Sequence, residues 1–367
     1  MKQKNTNIYG RHAKGSRMMK FGLYSEMQLS NGKTEKQVYD EVIKQIIHAD
    51  QAGFDVYSLI DHHHFSKFSV SANPLAVYAA VAHQTRHIRF RTALHILPQV
   101  NPLRMAGEIA VADILTDGRI EVGVGRGHAW VFPDEGIVPI EEAKPRFEEA
   151  LAILEQGLSE GRVNFQGEFF TAKDVDIVPK PLQKKMPYYT GGTSNRTYEQ
   201  AGMKGWGIFV PPLLPLENLK EQLNIYRDAC HKYGNEPQVV WLHAVYMDDD
   251  AAQIRKESEK HFKNFLAGNS APTVKLPNKD RMINAGFNFY AKGILEKLAD
   301  MTYEQITEGD VVWIGTPEEI CEKIERVKRE VEGLTEIDFL TNYGGMDHWK
   351  VIKQQELISK HIIPNFK

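Results

Sequence analysis

From residue 20 to its end, this chain alternates short apolar runs with segments of helical spacing, a rhythm that few folds accept. The strand-like runs are Lys20 to Glu26, Phe54 to Ile60, Ile88 to Leu97, Arg119 to Gly125, Pro187 to Gly191, Gly207 to Val210, Val239 to Met247 and Ile337 to Tyr343. After the first, Val38, Val42, Ile46 and Ile47 recur at helical spacing, and Gly53 stands where a C′ glycine belongs. Further helices are predicted from Pro74 through Ala82, Pro102 to Leu115, Glu141 to Glu160, Tyr198 to Met203 and Leu216 to Tyr233. Two more start near Asp249 and His348. The βα repetition predicts an α/β chain whose parallel sheet closes into a (β/α)8 TIM barrel. An open doubly wound sheet is the alternative, but eight units favour closure. Insertions interrupt the rhythm after strands four and seven. The first, Asn164 to Pro179, holds short strand-like pieces. The second runs from about Ala267 to Asp310, and its Gly/Asn/Ser/Pro/Lys-rich part, Gly268 to Asn278, reads as a mobile lid over the barrel mouth.

A chain of 367 residues with 42% apolar content can fill such a core. A net charge of -3 gives no electrostatic case for nucleic acid or an anionic membrane. No apolar stretch approaches the ~20 residues that span a bilayer. Two cysteines, Cys230 and Cys321, exclude a disulfide scaffold and fit a reducing cytoplasm. Residues 1–18 carry Lys2, Lys4, Arg11, Lys14 and Arg17 with no apolar run behind them. They read as a disordered extension or an expression remnant before a single domain over 19–367.

The chemistry is expected at strand ends. Strand two ends in Asp61-His62-His63-His64-Phe65, and histidine moves its proton near neutral pH. A polar loop with one hydrogen-bonded histidine is the plain alternative. The His62-x-His64 pair could hold zinc, but other strand ends supply no further ligands beyond the nearby His95 and His128, so no metal is expected. Gly123-Val124-Gly125-Arg126-Gly127-His128 fails as a dinucleotide fingerprint, because His128 takes the place of its last glycine. It can still let a flat ring approach the backbone. Gly191-Gly192-Thr193-Ser194-Asn195 opens a helix and reads either as a phosphate cradle or as an ordinary N-cap. Arg126 and Arg196 could add positive charge. Glu26 and Asp61 are the only obvious carboxylates at strand ends, and neither cysteine sits in a nucleophile motif.

Taken together these segments resemble the bacterial-luciferase-like flavin-dependent monooxygenases, from about Met19 to Phe366. The resemblance rests on His62-His63-His64-Phe65 with Asn73-Pro74, and on Arg91-Thr92-Ala93-Leu94 with Leu97-Pro98. It also rests on Leu115-Thr116-Asp117-Gly118-Arg119, the Gly123 to Gly127 strand end, Glu141 to Glu149, Gly315 to Glu319, and Gly344 to His348. It implies FMN, reduced by a separate flavin reductase, reacting with O₂ to a C4a-hydroperoxyflavin that oxygenates a small organic substrate in a homodimer. It implies catalytic roles for His63 and His64, with His62 facing the rim. Ala93, Leu94, Gly125, Arg126, Gly127, Gly191, Gly192, Thr193 and Ser194 would bind the cofactor, and Ala93-Leu94 would be a cis peptide. The chain departs from the family where a glutamate precedes two histidines: His62 or Asp61 stands there, which sets the register of the run. A deazaflavin (F420) dependent hydride-transfer enzyme and a non-catalytic partner subunit are the alternatives on the same fold.

Overall fold

The computed structural model describes residues 18–134 and 136–367, so all but the last residue of the N-terminal extension lies outside the described residues. The strands are β1 (Lys20–Ser25), β2 (Val56–Leu59), β3 (Arg89–Thr92), β4 (His95–Ile96), β5 (Ile120–Gly125), β6 (Val163–Gln166), β7 (Thr171–Val175), β8 (Tyr188–Gly191), β9 (Gly207–Val210), β10 (Val239–Met247), β11 (Trp313–Gly315) and β12 (Leu334–Asn342). The helices are α1 (Glu35–Gln51), α2 (Pro74–Val81), α3 (Pro102–Leu115), α4 (Ala143–Gly157), α5 (Asn195–Lys204), α6 (Lys220–Tyr233), α7 (Ala251–Ser270), α8 (Lys279–Asn284), α9 (Asn288–Ala291), α10 (Ile294–Ala299), α11 (Tyr303–Glu308), α12 (Pro317–Glu330), α13 (His348–Leu357) and α14 (Ile363–Phe366).

Strands β12, β1, β2, β3, β5, β8, β9 and β10 pair in that order, all in parallel, and β10 pairs back onto β12. The sheet is therefore a closed eight-stranded barrel, and the loops leaving its strands gather at one mouth. Local sequence fixes the helix starts. Asn73 and Asn101 accept hydrogen bonds from the first turns of α2 and α3, with Pro74 and Pro102 at N1. Thr34 with Gln37 and Thr316 with Glu319 form capping boxes. Gly53, at φ +85°, ends α1 where the sequence places it.

Two apolar bodies result. One fills the space between strands and helices, with Val42, Ile46, Tyr78, Phe90, Ile109 and Trp241 among its fully or nearly fully buried members. The second sits at the mouth, around Ile60, Phe68, Trp130, Phe132, Phe262 and Tyr343. Inside the barrel lies a buried ionic cluster. The Arg91 Nε donates to Glu121 Oε2 at 2.7 Å, and its Nη1 and Nη2 donate to Glu336 at 2.6 and 2.9 Å. Since β3 and β12 are not neighbours, this guanidinium reaches across the interior. Asp338 joins the cluster, accepting from Ser58 Oγ at 3.0 Å, and burial beside Glu336 raises its pKa well above the carboxylate range. Gly22 must lack a side chain here, because a Cβ would stand 2.0 Å from Asp338 Oδ1.

The structure revises three expectations. The third strand is two pieces, β3 and β4, separated by a cis Ala93–Leu94 peptide, which is the geometry the family resemblance implied. β11, absent from the sequence reading, pairs with the C-terminal end of β10 at Val245–Met247. Gly268 to Asn278 is not a loop. It is the last turn of α7 and a 3₁₀ turn at Ala271–Lys275, with Pro272 and Pro277 buried. Its small polar residues are used locally: the Asn269 side chain donates to Phe265 O at 3.1 Å, and Thr273 Oγ1 to Ser270 O at 2.7 Å. Asn269 of this segment lines the mouth cavity, and so do Asn284 to Tyr290, Leu295 and Leu298 later in the insertion. The earlier insertion is an antiparallel hairpin of β6 and β7.

Candidate active site

A cavity of about 700 Å³ opens at the mouth. Its wall includes Ala93, Leu94, Gly125, Arg126, Gly127, Gly191, Gly192, Thr193 and Ser194, so the fold brings every residue proposed for cofactor contact to one space. Their local roles differ from the simplest reading. The bare backbone at Gly125 and Gly127 is required by the wall itself, since added Cβ atoms would stand 2.9 Å from Leu94 Cδ1 and 2.8 Å from Ile96 Cγ2. Ser194 is the N-cap of α5, its Oγ accepting from Thr197 N at 3.3 Å. Arg126 donates to Ala285 O and Gly286 O at 3.1 and 3.3 Å and lies over the Phe287 ring. It thereby ties the insertion to the barrel rim.

The histidine run divides. His62 is buried rather than on the rim: Trp130 Nε1 donates to its Nε2 at 2.8 Å, and Phe68 packs against its ring. Burial, helped by His128 nearby, pushes its pKa down to about 3, so it is neutral. His63 and His64 do not line the cavity. His63 is half-buried with Nε2 3.0 Å from Asp61 Oδ1, and this contact raises its pKa. His64 is exposed at φ +73°. Asp61 does line the cavity, and His95 Nδ1 lies 2.8 Å from its Oδ2. Burial alone would raise the Asp61 pKa, but the hydrogen bonds from His63 and His95 outweigh it and the net shift is downward. Asp61 is thus an anion held between two imidazoles. The His95 Nε2 is buried without a hydrogen-bond partner.

Trp130 and His128, just beyond the glycine-rich strand end, stack at 4.3 Å with an interplanar angle of 5°. Tyr290 from the insertion stands edge-on to Trp130, and its hydroxyl is 2.7 Å from His128 Nδ1. Burial lowers the His128 pKa to about 4. Glu26, directly after β1, also faces the cavity, and desolvation raises its pKa to about 8 against hydrogen bonds from Asn269 and Gln28. Sequence reasoning named Glu26, His95 and His128 but gave them no place in the site, and it passed over Trp130 and Tyr290. Trp130 was findable, standing three residues beyond Gly127. Tyr290 was not, because only the folded insertion brings it there.

Residues 19–332 match the family model described as luciferase-like monooxygenase. The oxygenase component of a flavin-dependent trigonelline monooxygenase from Acinetobacter baylyi is 30% identical over 258 residues, covering 68% of this chain and 71% of that protein. The chain belongs to the luciferase-like monooxygenase family, and with it to the flavin-dependent monooxygenases. Solved structures agree on the fold. The oxygenating constituent of 3,6-diketocamphane monooxygenase from Pseudomonas putida, in complex with FMN, superposes with a TM-score of 0.75 at 21% identity, covering 95% of this chain and 99% of that one. An F420-dependent secondary alcohol dehydrogenase superposes with a TM-score of 0.73 at 18% identity, over 95% and 99%. The same barrel thus accompanies both cofactor chemistries among solved structures.

Proposed function

We propose that the chain is the oxygenase of a two-component system, taking reduced FMN from a separate flavin reductase and inserting one atom of O₂ into a small organic substrate. The observation that carries this reading is one cavity at the mouth that takes in every proposed cofactor residue together with Asp61 and Glu26. Its size suits a cofactor-scale ligand. The first backbone N–H groups of α5, with Thr193, would hold the phosphate, and Arg196 and Lys144 stand near that turn at the same cavity. Leu94 and the Gly125 to Gly127 backbone would back the ring. When bound, reduced FMN supplies the two electrons that activate O₂, one oxygen atom going to substrate and the other to water.

The chain's own residues would do the rest. Trp130, Tyr290 and Phe287 would keep water out, which matters because uncoupled turnover releases H₂O₂. Asp61 holds His63 and His95 in fixed orientation. His63, whose pKa the Asp61 contact raises, would hold a proton beside Asp61, which lines the cavity, and His64, exposed beside it, would orient it at most.

Anaerobic titration with reduced FMN and with reduced F420, each followed by an air pulse under stopped-flow detection, tests the reading. Tight binding of reduced FMN and rapid O₂ consumption with H₂O₂ release are expected in the absence of substrate. Binding of reduced F420 alone, with no reaction toward O₂, would replace it with the hydride-transfer alternative.

A further inference from the structure

The carboxylates facing the cavity are not alike. Glu148 is paired with Arg196 at 2.8 Å and Glu155 with Lys204 at 2.7 Å. Asp61 has His63 and His95. Glu26 alone among them has no cationic partner among the described residues: Gln28 Nε2 donates to it at 3.1 Å, and Asn269 is its other neighbour. It is 2% exposed. A carboxyl buried without a counter-ion is costly unless it stays protonated or receives a cation from outside.

Position sharpens the point. In the closed ring β1 and β8 are four strands apart, hence diametrically opposite. The cationic side chains of the cavity, Arg126, Lys144, Arg196 and Lys204, all follow β5 or belong to α4 and α5, on the side of the Gly191 to Ser194 turn. The side that follows β1 and β2 carries Glu26, Asp61 and Phe68 and no cation. Phe68 joins this side to an aromatic wall whose His128 and Trp130 follow β5, as Arg126 does, and whose Tyr290 comes from the insertion after β10. Phe68 stands edge-on to both Trp130 and His128, at 5.4 and 5.3 Å. Trp130 is fixed from behind by its hydrogen bond to His62. Both histidines of this cluster are held neutral by burial and repel no positive charge, and Arg126 is engaged by Ala285 O, Gly286 O and the Phe287 ring.

We infer that the substrate is a small organic cation, a quaternary ammonium or N-alkylated heteroaromatic ring, held between Glu26 and the Phe68–Trp130–Tyr290 wall. This rests on the flavin-monooxygenase reading of the same cavity and gives that reading its substrate class. Aromatic faces attract a positive charge through their quadrupole, most strongly when both are desolvated, and a weakly hydrated alkylated cation loses least on entering. Glu26 supplies the counter-charge. Its pKa of about 8 means that ionising it at pH 7 costs only about a factor of ten in affinity. Beside a neutral substrate of the same shape that carboxyl would stay protonated and add no counter-charge.

The test is calorimetric titration of the protein, loaded anaerobically with reduced FMN, with choline and with its neutral isostere 3,3-dimethylbutan-1-ol. Choline should bind at least about tenfold more tightly. Glu26→Gln should reduce that preference to about threefold or less while reduced FMN binds as before, and Trp130→Leu should lower choline affinity in the same way. Equal binding of the two probes, or a preference that survives Glu26→Gln, overturns the inference while intact FMN binding leaves the cofactor reading standing. Choline preference without FMN binding would leave the cation site standing and overturn the cofactor reading instead. If Glu26→Gln also loses FMN affinity, the Trp130→Leu variant decides: retained FMN binding with lost choline preference supports the cation site, and retained choline preference sinks it.

Discussion

Replacing Glu26 by glutamine should change how stability depends on pH, in a calculable direction. Desolvation raises the Glu26 pKa from 4.5 to about 8. In the unfolded chain the group is ionised above about 4.5, whereas in the folded chain it keeps its proton until about pH 8. Between those values the folded state binds one proton more, so stability falls as pH rises. Its favourable contribution is complete below the unfolded pKa and is lost by the time pH has passed the folded one. At 1.36 kcal/mol per pKa unit the whole window is worth at most about 5 kcal/mol, and the part between pH 5.5 and 8 about 3 kcal/mol. Glu26→Gln keeps the shape and the hydrogen-bonding capacity but removes the titration. Urea unfolding of both proteins at pH 5.5 and pH 8 isolates the term, because every other titrating group cancels in the difference. The stability of the parent relative to the variant should drop by about 3 kcal/mol across that range. Parallel pH profiles would show that Glu26 ionises normally, and the account of a carboxyl without a counter-ion would fail with it.

Arg91→Met should destabilise the barrel by about 3–5 kcal/mol, because it strands Glu121 and Glu336 in the interior; a thermal melt matching the parent would refute the ionic cluster as a structural tie. Thr193→Ala with Ser194→Ala should lower FMN affinity more than tenfold, about 1.4 kcal/mol, and Ser194→Ala alone should also cost about 1 kcal/mol of stability by uncapping α5; unchanged FMN affinity in the double variant removes the phosphate assignment. His63→Ala should retain FMN binding but divert O₂ to H₂O₂, with substrate oxidation falling ~10²–10⁴-fold, whereas His64→Ala should behave nearly as the parent. The reverse outcome would move the reactive histidine one position along the chain. Arg126→Ala should speed amide hydrogen exchange at Asn284 to Tyr290, since it removes the donors held by Ala285 and Gly286; exchange as slow as in the parent would show that other contacts hold the insertion.

The fold was legible because its signals are local and repeated. Asn73-Pro74, Asn101-Pro102 and the Thr316 to Glu319 capping box are complete within four residues each, and the apolar spacing between them sets the strands and helices. β11 escaped because three residues carry no readable period, and it is stable only against the end of β10. The site was half legible. Glycine-rich strand ends announce a cavity wall, but composition could not say that Gly125 is bare to admit Leu94. Nor could it divide the histidine run, since which ring is buried depends on Trp130, sixty-eight positions away. Arg91 shows the opposite limit: within an apolar strand it looks exceptional, and only the fold reveals partners on β5 and β12.

The ionic cluster beneath the mouth also bears on how such a protein can change. Arg91 braces strands on opposite sides of the ring, so the tiers below it are anchored independently of what is built above. The mouth has its own apolar body, drawn from strand residues such as Leu242 and Leu340, from α7, from loops and from the Asn284 to Tyr290 stretch. Mutational history could therefore rewrite the upper storey, exchanging one set of rings and carboxyls for another, while the foundation carries the load unaltered. A laboratory that grafts the 284–290 stretch of one such chain onto another would be moving a roof, not a wall.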